Sequence, residues 1–344
     1  MAGGTGGHVF PALAVAQSLQ EKGWQVSWLG TQRGLESRVV PENGIEIDWL
    51  SVSGLRGKDR LAFLKAPFML FSACKQAMQV LRARRPAVVL GMGGFVAGPG
   101  GLMAKLLGIP LIIHEQNRIP GTTNRLLSGF ANSVLEAFPE SFKKQKNVIC
   151  TGNPLRKTFS NIQEKSYSSV AKPLRILIIG GSLGAQVLNQ VLPEAAAKMN
   201  DVEIKHQTGI KMLDQVKKSY ADSNVKAEAL AFIDDMVSVY QWADLIICRA
   251  GAMTISEIAA AGLPSILIPF PHAIDDHQTE NARYLEEANA GVLIAQEKLN
   301  PNLLAEQVRE IKNNLEEMSK AARQCARLDA TNAVVHVCMK EAKR

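Results

Sequence analysis

The 344-residue sequence has few cysteines, and they are scattered: Cys74, Cys150, Cys248, Cys325 and Cys338 include no Cys-x-x-Cys pair. That pattern excludes a disulfide framework or zinc ribbon and suits reduced thiols in a cytosolic chain. Aromatic residues make up only 6%, and no recognition motif accompanies them, so nucleic acid is not expected as a partner. Long apolar runs are missing. The stretch Leu61–Cys74 is broken by Lys65 and Pro67, and Ile255–Pro271 by Glu257 and Pro264, whereas a spanning helix needs about 20 apolar residues. No basic segment with an apolar core opens the chain, so a signal peptide is not expected. Neither G-x-G-x-x-G nor a P-loop occurs. The pairs Asp234-Asp235 and Asp275-Asp276 lack the Asp-x-Asp spacing of a metal–nucleotide clamp, so no cofactor and no metal site are expected.

What is present describes a globular chain. Hydrophobic residues are 47%, charged residues 21%, and mean hydropathy is +0.00. The length fits about two domains. Residues 1–160 carry 19 basic and 9 acidic side chains, net +10, and residues 161–344 carry 20 and 23, net −3. One half is suited to an anionic partner.

Short apolar runs alternate with helix-length segments throughout. Strands are expected at 25–30, 45–50, 87–91, 111–115, 133–137 and 148–150, then at 175–180, 203–207, 225–229, 245–248, 265–269 and 292–295. Such runs, bounded by Gly and Pro and separated by helices, predict parallel sheets covered on both faces. The polar stretch 161–172 reads as a linker. The fold class is α/β, with two doubly wound Rossmann-like domains facing across a cleft.

Each half has a glycine loop before a helix: Gly3-Gly4-Thr5-Gly6-Gly7-His8 and Gly180-Gly181-Ser182-Leu183-Gly184-Ala185. Glycines let backbone approach an anion, and the helix start supplies free N–H groups and a positive dipole end. The bland alternative is a pair of tight turns. The second loop follows a strand, but the first follows none. The first strand of the N-terminal domain is therefore expected to be missing, through truncation or a misplaced start, leaving unpaired backbone and a less stable chain. A third cluster, Gly91-Met92-Gly93-Gly94 through Gly101, suits a second phosphate-bearing ligand or a lid.

Several side chains stand out. His8 lies inside an anion loop, where a general base or a simple hydrogen-bonding histidine both fit. His114 ends a strand beside Glu115 and reads as a supporting residue. In the segment Arg249–Glu257, Glu257 lies in the first turns of an expected helix. There it either accepts from a ribose diol or merely favours the helix start electrostatically. Residues 56–85 hold eight basic side chains against one acid, Asp59. Leu64, Phe68 and Phe71 fall at i, i+4 and i+7 among Lys65, Lys75 and Arg82. That stripe suits an interface helix on anionic lipid, or a core-facing stripe with a solvated basic side.

The ordered segments Gly-Gly-Thr-Gly-Gly-His, Gly-Met-Gly-Gly, His114-Glu115-Gln116-Asn117, Gly152-Asn153-Pro154-Leu155-Arg156, Gly180-Gly181-Ser182 and Phe232-Ile233-Asp234-Asp235-Met236 are followed by Ala252–Glu257. Together they resemble the family of bacterial N-acetylglucosaminyltransferases acting on undecaprenyl-diphospho-muramoyl-pentapeptide, across essentially the whole chain. The resemblance implies the GT-B architecture. Residues 1–157 would form an acceptor- and membrane-binding domain and 158–327 the UDP-GlcNAc domain, with 328–344 a helix returning to the first. It implies conversion of lipid I to lipid II in peptidoglycan synthesis, and so a part in cell shape and division. The enzyme would sit peripherally on the cytoplasmic face of the inner membrane, against anionic lipids. Donor contacts are implied for Ile233, Glu257, Ser182, Ala252, Met253, Thr254, Ile255, Ser256, Arg156 and Gln278, with Thr5, Gly6, Gly7 and Asn117. The acceptor diphosphate would meet Gly91, Gly93 and Gly94, and His8 would assist deprotonation. UDP-GlcNAc is a substrate here, not a cofactor. A UDP-GlcNAc 2-epimerase-like enzyme and a membrane-surface binding protein are the competing readings.

Overall fold

The computed structural model describes residues 1–52, 60–143, 145, 147–159, 162–163, 165, 167, 173–181, 184–223 and 225–343, and for 60–65 and 274 the backbone alone. The chain divides into two compact units, Met1–Arg156 with Leu328–Arg344, and Lys157–Arg327.

The first unit carries β1 (Ser27–Gly30), β2 (Glu46–Trp49), β3 (Val89–Gly91), β4 (Leu111–Glu115), β5 (Ser133–Glu136) and β6 (Val148–Cys150). All pair in parallel, and β4 and β5 are buried along their whole length, as strands covered on both faces should be. The sheet is split. β1 pairs only with β2, while β3-β4-β5-β6 form a separate ladder. Between them the Met1 amine donates to Leu90 O at 2.8 Å, and Met92 N donates to Met1 O at 2.8 Å. Trp28 Nε1 donates to Ala2 O from the other side at 2.8 Å. Behind this single rung lies a cavity of about 940 Å³ lined by Val15, Leu19, Trp28, Val88, Leu90 and Cys338, among others.

The C-terminal helix Ala330–Glu341 belongs to this first unit and packs on the helix Gly6–Glu21. Val334, Val335 and Cys338 share a core with Val15, Ile112 and Leu135. Ser133 Oγ donates to Glu341 Oε1 at 3.0 Å, and Thr331 Oγ1 to Leu155 O at 3.1 Å.

The second unit has one six-stranded parallel sheet of β7 (Leu174–Ile179), β8 (Val202–Gln207), β9 (Ala227–Leu230), β10 (Leu245–Cys248), β11 (Ser265–Leu267) and β12 (Gly291–Leu293). Its order is β12-β11-β10-β7-β8-β9, so the chain reverses direction across the sheet beside β7 and β10. In doubly wound sheets ligands bind at that point, beyond the carboxyl ends of the strands. The helix Pro301–Lys312 starts with Pro301 in its first turn and Asn300 accepting from Leu303 N at 3.0 Å. It turns Leu304, Val308 and Ile311 into the core of this unit.

Candidate active site

The first unit gathers its polar groups at the carboxyl ends of β3 and β4. Thr5 precedes the helix Gly6–Glu21 without a side-chain cap, so its hydroxyl satisfies none of the first-turn N–H groups. The loop before it is held by the fully buried Glu36. One carboxylate oxygen accepts from Gly4 N at 2.9 Å, and the other from Thr31 N at 3.0 Å and Thr31 Oγ1 at 2.7 Å. The third glycine cluster packs on this loop. Gly93 has φ +92°, and a Cβ there would stand 2.8 Å from His8 Nδ1. Gly94 has φ +82°, and a Cβ would collide with the Gly3 carbonyl. Any side chain would thus force the two loops apart.

Beyond β4, Glu115 organises the next loop. Its Oε1 accepts from Asn117 N and Nδ2, and its Oε2 from Gly121 N and Asn124 Nδ2, all at 2.9–3.1 Å. His8 Nδ1 lies 2.8 Å from Gln116 Oε1, and Gln116 Nε2 lies 3.0 Å from His114 Nδ1. His114 is wholly enclosed, and burial lowers its pKa to about 4. Arg156 is exposed and sits 5.4 Å from the Phe10 ring centre.

In the second unit, β7 leads into Gly180 and Gly181. Gly184 has φ +76° and fits because it has no Cβ, which would collide with the Thr208 carbonyl. Ser182 and Leu183 lie outside the described residues. β10 leads into Arg249 and then the helix Ala252–Ala261, which begins at Gly251 without a side-chain cap. A cleft of about 740 Å³ is lined by Gly180, Gly181, Arg249, Thr254, Gln278 and Gln296, among others. Arg249 is locked there: Nη1 donates to Ile268 O and Pro269 O at 3.1 and 3.0 Å, and Nη2 to Gln296 Oε1 at 2.6 Å. Its burial lowers the guanidinium pKa, but arginine stays charged. A fixed cation and the starts of the helices Gln186–Ala196 and Ala252–Ala261 on one cleft have the chemistry to receive an anion.

Of the expected donor residues, Thr254 and Gln278 line this cleft, and Gln278 Oε1 also accepts from Phe270 N at 2.9 Å. Ile233, Ala252, Met253, Ile255, Ser256 and Glu257 are not among its lining residues. Ile255 is buried with its N–H bonded to Gly251 O at 2.9 Å, and Ser256 Oγ donates to Ala252 O at 3.0 Å. Ile233 is buried beside the exposed Phe232. The buried Tyr240 hydroxyl donates to Glu257 Oε2 at 3.1 Å. Thr5, Gly6, Gly7, Asn117, Arg156, Gly91, Gly93 and Gly94 all belong to the first unit. Reading the sequence did not single out Glu36, Tyr240 or Gln296, and it gave Gln116 a place in a motif but no role. Polar residues closing a buried strand, as in Leu111–Glu115, were the available signal for the Gln116 neighbourhood.

On the helix Arg60–Arg84, Ala73, Ala77 and Leu81 face the core, while Phe68 is 79% and Phe71 74% exposed. Lys75 and Arg82 are exposed further along the same helix. The side chains of Leu64 and Lys65 lie outside the described residues, as do Arg56, Lys58 and Asp59. Arg84 is engaged by Asp48 and Glu46. Among the described residues no helix is long and apolar enough to cross a membrane, and no group of three His, Cys, Asp or Glu could hold a metal ion.

Two Rossmann-like units, each with an uncapped glycine-rich helix start at its strand ends, define a glycosyltransferase of the GT-B class. The glycosyltransferase family 28 N-terminal domain matches residues 1–136 and its C-terminal domain residues 175–336. A curated relative from Methylococcus capsulatus is 56% identical over 99% of this chain and 98% of its own length, and one from Marinobacter nauticus is 49% identical over 99% and 96%. The chain belongs to the family of both, the UDP-N-acetylglucosamine–N-acetylmuramyl-(pentapeptide) pyrophosphoryl-undecaprenol N-acetylglucosamine transferases. The crystal structure of MurG from Acinetobacter baumannii superimposes with a TM-score of 0.86 at 42% identity, covering 99% of this chain and 98% of that one. A UDP-GlcNAc 2-epimerase from Neisseria meningitidis, bound to UDP-GlcNAc, reaches a TM-score of 0.66 at 15% identity over 98% of each chain, a likeness of fold alone.

Proposed function

We propose that this protein transfers N-acetylglucosamine from UDP-GlcNAc to the muramoyl 4-hydroxyl of undecaprenyl-diphospho-muramoyl-pentapeptide, turning lipid I into lipid II. The observation that carries this reading is the 56% identity, over 99% of the chain, to a relative named for that transfer.

The second unit holds the donor. Arg249 and the starts of the helices Gln186–Ala196 and Ala252–Ala261 take the diphosphate, Gln278 binds alongside, and Glu257 accepts from the ribose hydroxyls. The first unit takes the acceptor diphosphate at Gly6, Gly7 and the Gly91–Gly94 loop, with Asn117 nearby. His8 Nε2 removes the proton of the 4-hydroxyl as that oxygen attacks the anomeric carbon from the face opposite UDP. The bond from the anomeric carbon to the phosphate oxygen breaks with its electron pair, so UDP departs with the added negative charge and the sugar inverts. Positive helix ends and arginine stabilise that charge, so no metal is required.

The exposed Phe68 and Phe71, with Lys75 and Arg82 further along the same helix, dock on anionic lipid at the cytoplasmic face of the inner membrane, where the acceptor resides. Incubation with UDP-GlcNAc and a lipid I analogue in the presence of a chelator tests the chemistry. A β-linked disaccharide lipid is expected. Absence of that product, or its abolition by chelator, contradicts the proposal.

A further inference from the structure

The three side chains His8, Gln116 and His114 stand in series, and each contact constrains the next. His114 Nε2 lies 2.9 Å from the Gly152 carbonyl, which can only accept, so this nitrogen carries the proton. Burial keeps the ring neutral at ordinary pH, so His114 Nδ1 offers a lone pair. Gln116 Nε2 meets that lone pair at 3.0 Å and donates as well to the His114 carbonyl at 3.2 Å. Two acceptors on the same side fix which end of the amide is nitrogen. Its oxygen therefore faces His8 Nδ1 at 2.8 Å. An amide oxygen can only accept, so His8 must place its proton there.

We infer that Gln116 and His114 are positioning residues that set the tautomer of His8, holding its proton on Nδ1 and leaving Nε2 as a bare lone pair. The inference rests on the proposed role of His8 as the base. Gly93 closes the Nδ1 edge of the ring, because any side chain there would press on that nitrogen. When Nε2 takes the acceptor proton, the Nδ1–H bond to Gln116 persists and no partner has to turn. The neutral amide does for His8 what an orienting carboxylate does in other base-activated sites, fixing the ring through its far nitrogen.

Long-range proton–nitrogen NMR spectra of ¹⁵N-histidine-labelled protein read the tautomer directly. In the wild type at neutral pH, His8 is expected in the Nδ1–H form and His114 in the Nε2–H form. In Gln116→Met, His8 should shift toward the Nε2–H form that an unrestrained imidazole favours. The variant's kcat with a lipid I analogue should fall about tenfold or more, within the range that general-base catalysis supplies. Its KM for UDP-GlcNAc should stay near wild type, while its thermal midpoint falls by a few degrees because the buried His114 Nδ1 loses its donor. An Nε2–H His8 in the wild type, or the same tautomer in wild type and variant, overturns the inference whatever the variant does to turnover. His8→Ala tests the underlying role separately: turnover within about threefold of wild type would remove the base, even with the tautomer spectrum as expected.

Discussion

The Tyr240 hydroxyl donates to Glu257 Oε2 across 3.1 Å, joining two helices of the second unit. Tyr240 is fully buried, its ring edge-on to Phe159 with centroids 5.4 Å apart, so it is a rigid strut for the carboxylate proposed to hold the donor ribose. Tyr240→Phe keeps the packing and removes one hydrogen bond, about 1 kcal/mol. The KM for UDP-GlcNAc should rise about fivefold with kcat little changed. Glu257→Ala, which removes the acceptor itself, should raise it by about a hundredfold. Steady-state kinetics with varied donor checks both, and equal KM values across the three proteins would take Glu257 out of the donor site.

On the helix Arg60–Arg84 the core-facing positions are Ala73, Ala77 and Leu81, so Phe68 and Phe71 are free to dock elsewhere. Each phenyl ring buried in lipid is worth about 2 kcal/mol. The double variant Phe68→Asp, Phe71→Asp should bind anionic vesicles at least about tenfold more weakly while keeping wild-type affinity for UDP. Unchanged co-sedimentation with vesicles would contradict the membrane assignment.

Much of this was readable in the chain, for a physical reason. Parallel strands buried on both faces require unbroken apolar runs, so segments such as Leu111–Glu115 and Leu174–Ile179 announce themselves. Contacts that depend on distant chain meeting distant chain were not readable. His8 and Gln116 are 108 residues apart, and Glu36 reaches back 32 residues to Gly4. The stripe Phe68–Phe71 was ambiguous because a core-facing and a lipid-facing helix share one period. Only the burial of Ala73, Ala77 and Leu81 on the same helix shows which face is occupied.

Two buried histidines make stability fall in acid. Burial lowers His114 to about 4 and His206 to about 3, against 6.5 for an exposed histidine. Both stay neutral in the fold, whereas the unfolded chain takes up protons below about pH 6.5. Unfolding free energy is therefore full above that pH and falls as pH drops toward 4 and 3, by up to about 1.4 kcal/mol per unit for each histidine. Urea unfolding of wild type and His206→Gln between pH 7 and 4 should show a shallower loss in the variant's second unit. Parallel curves would contradict the assignment.

Acceptor-dependent release of UDP tests the account most directly. With UDP-GlcNAc alone, the protein should release no UDP and leave the sugar unchanged. Adding a lipid I analogue should start UDP release in step with disaccharide lipid. Conversion of UDP-GlcNAc to its 2-epimer without acceptor, or UDP release indifferent to the analogue, would contradict it.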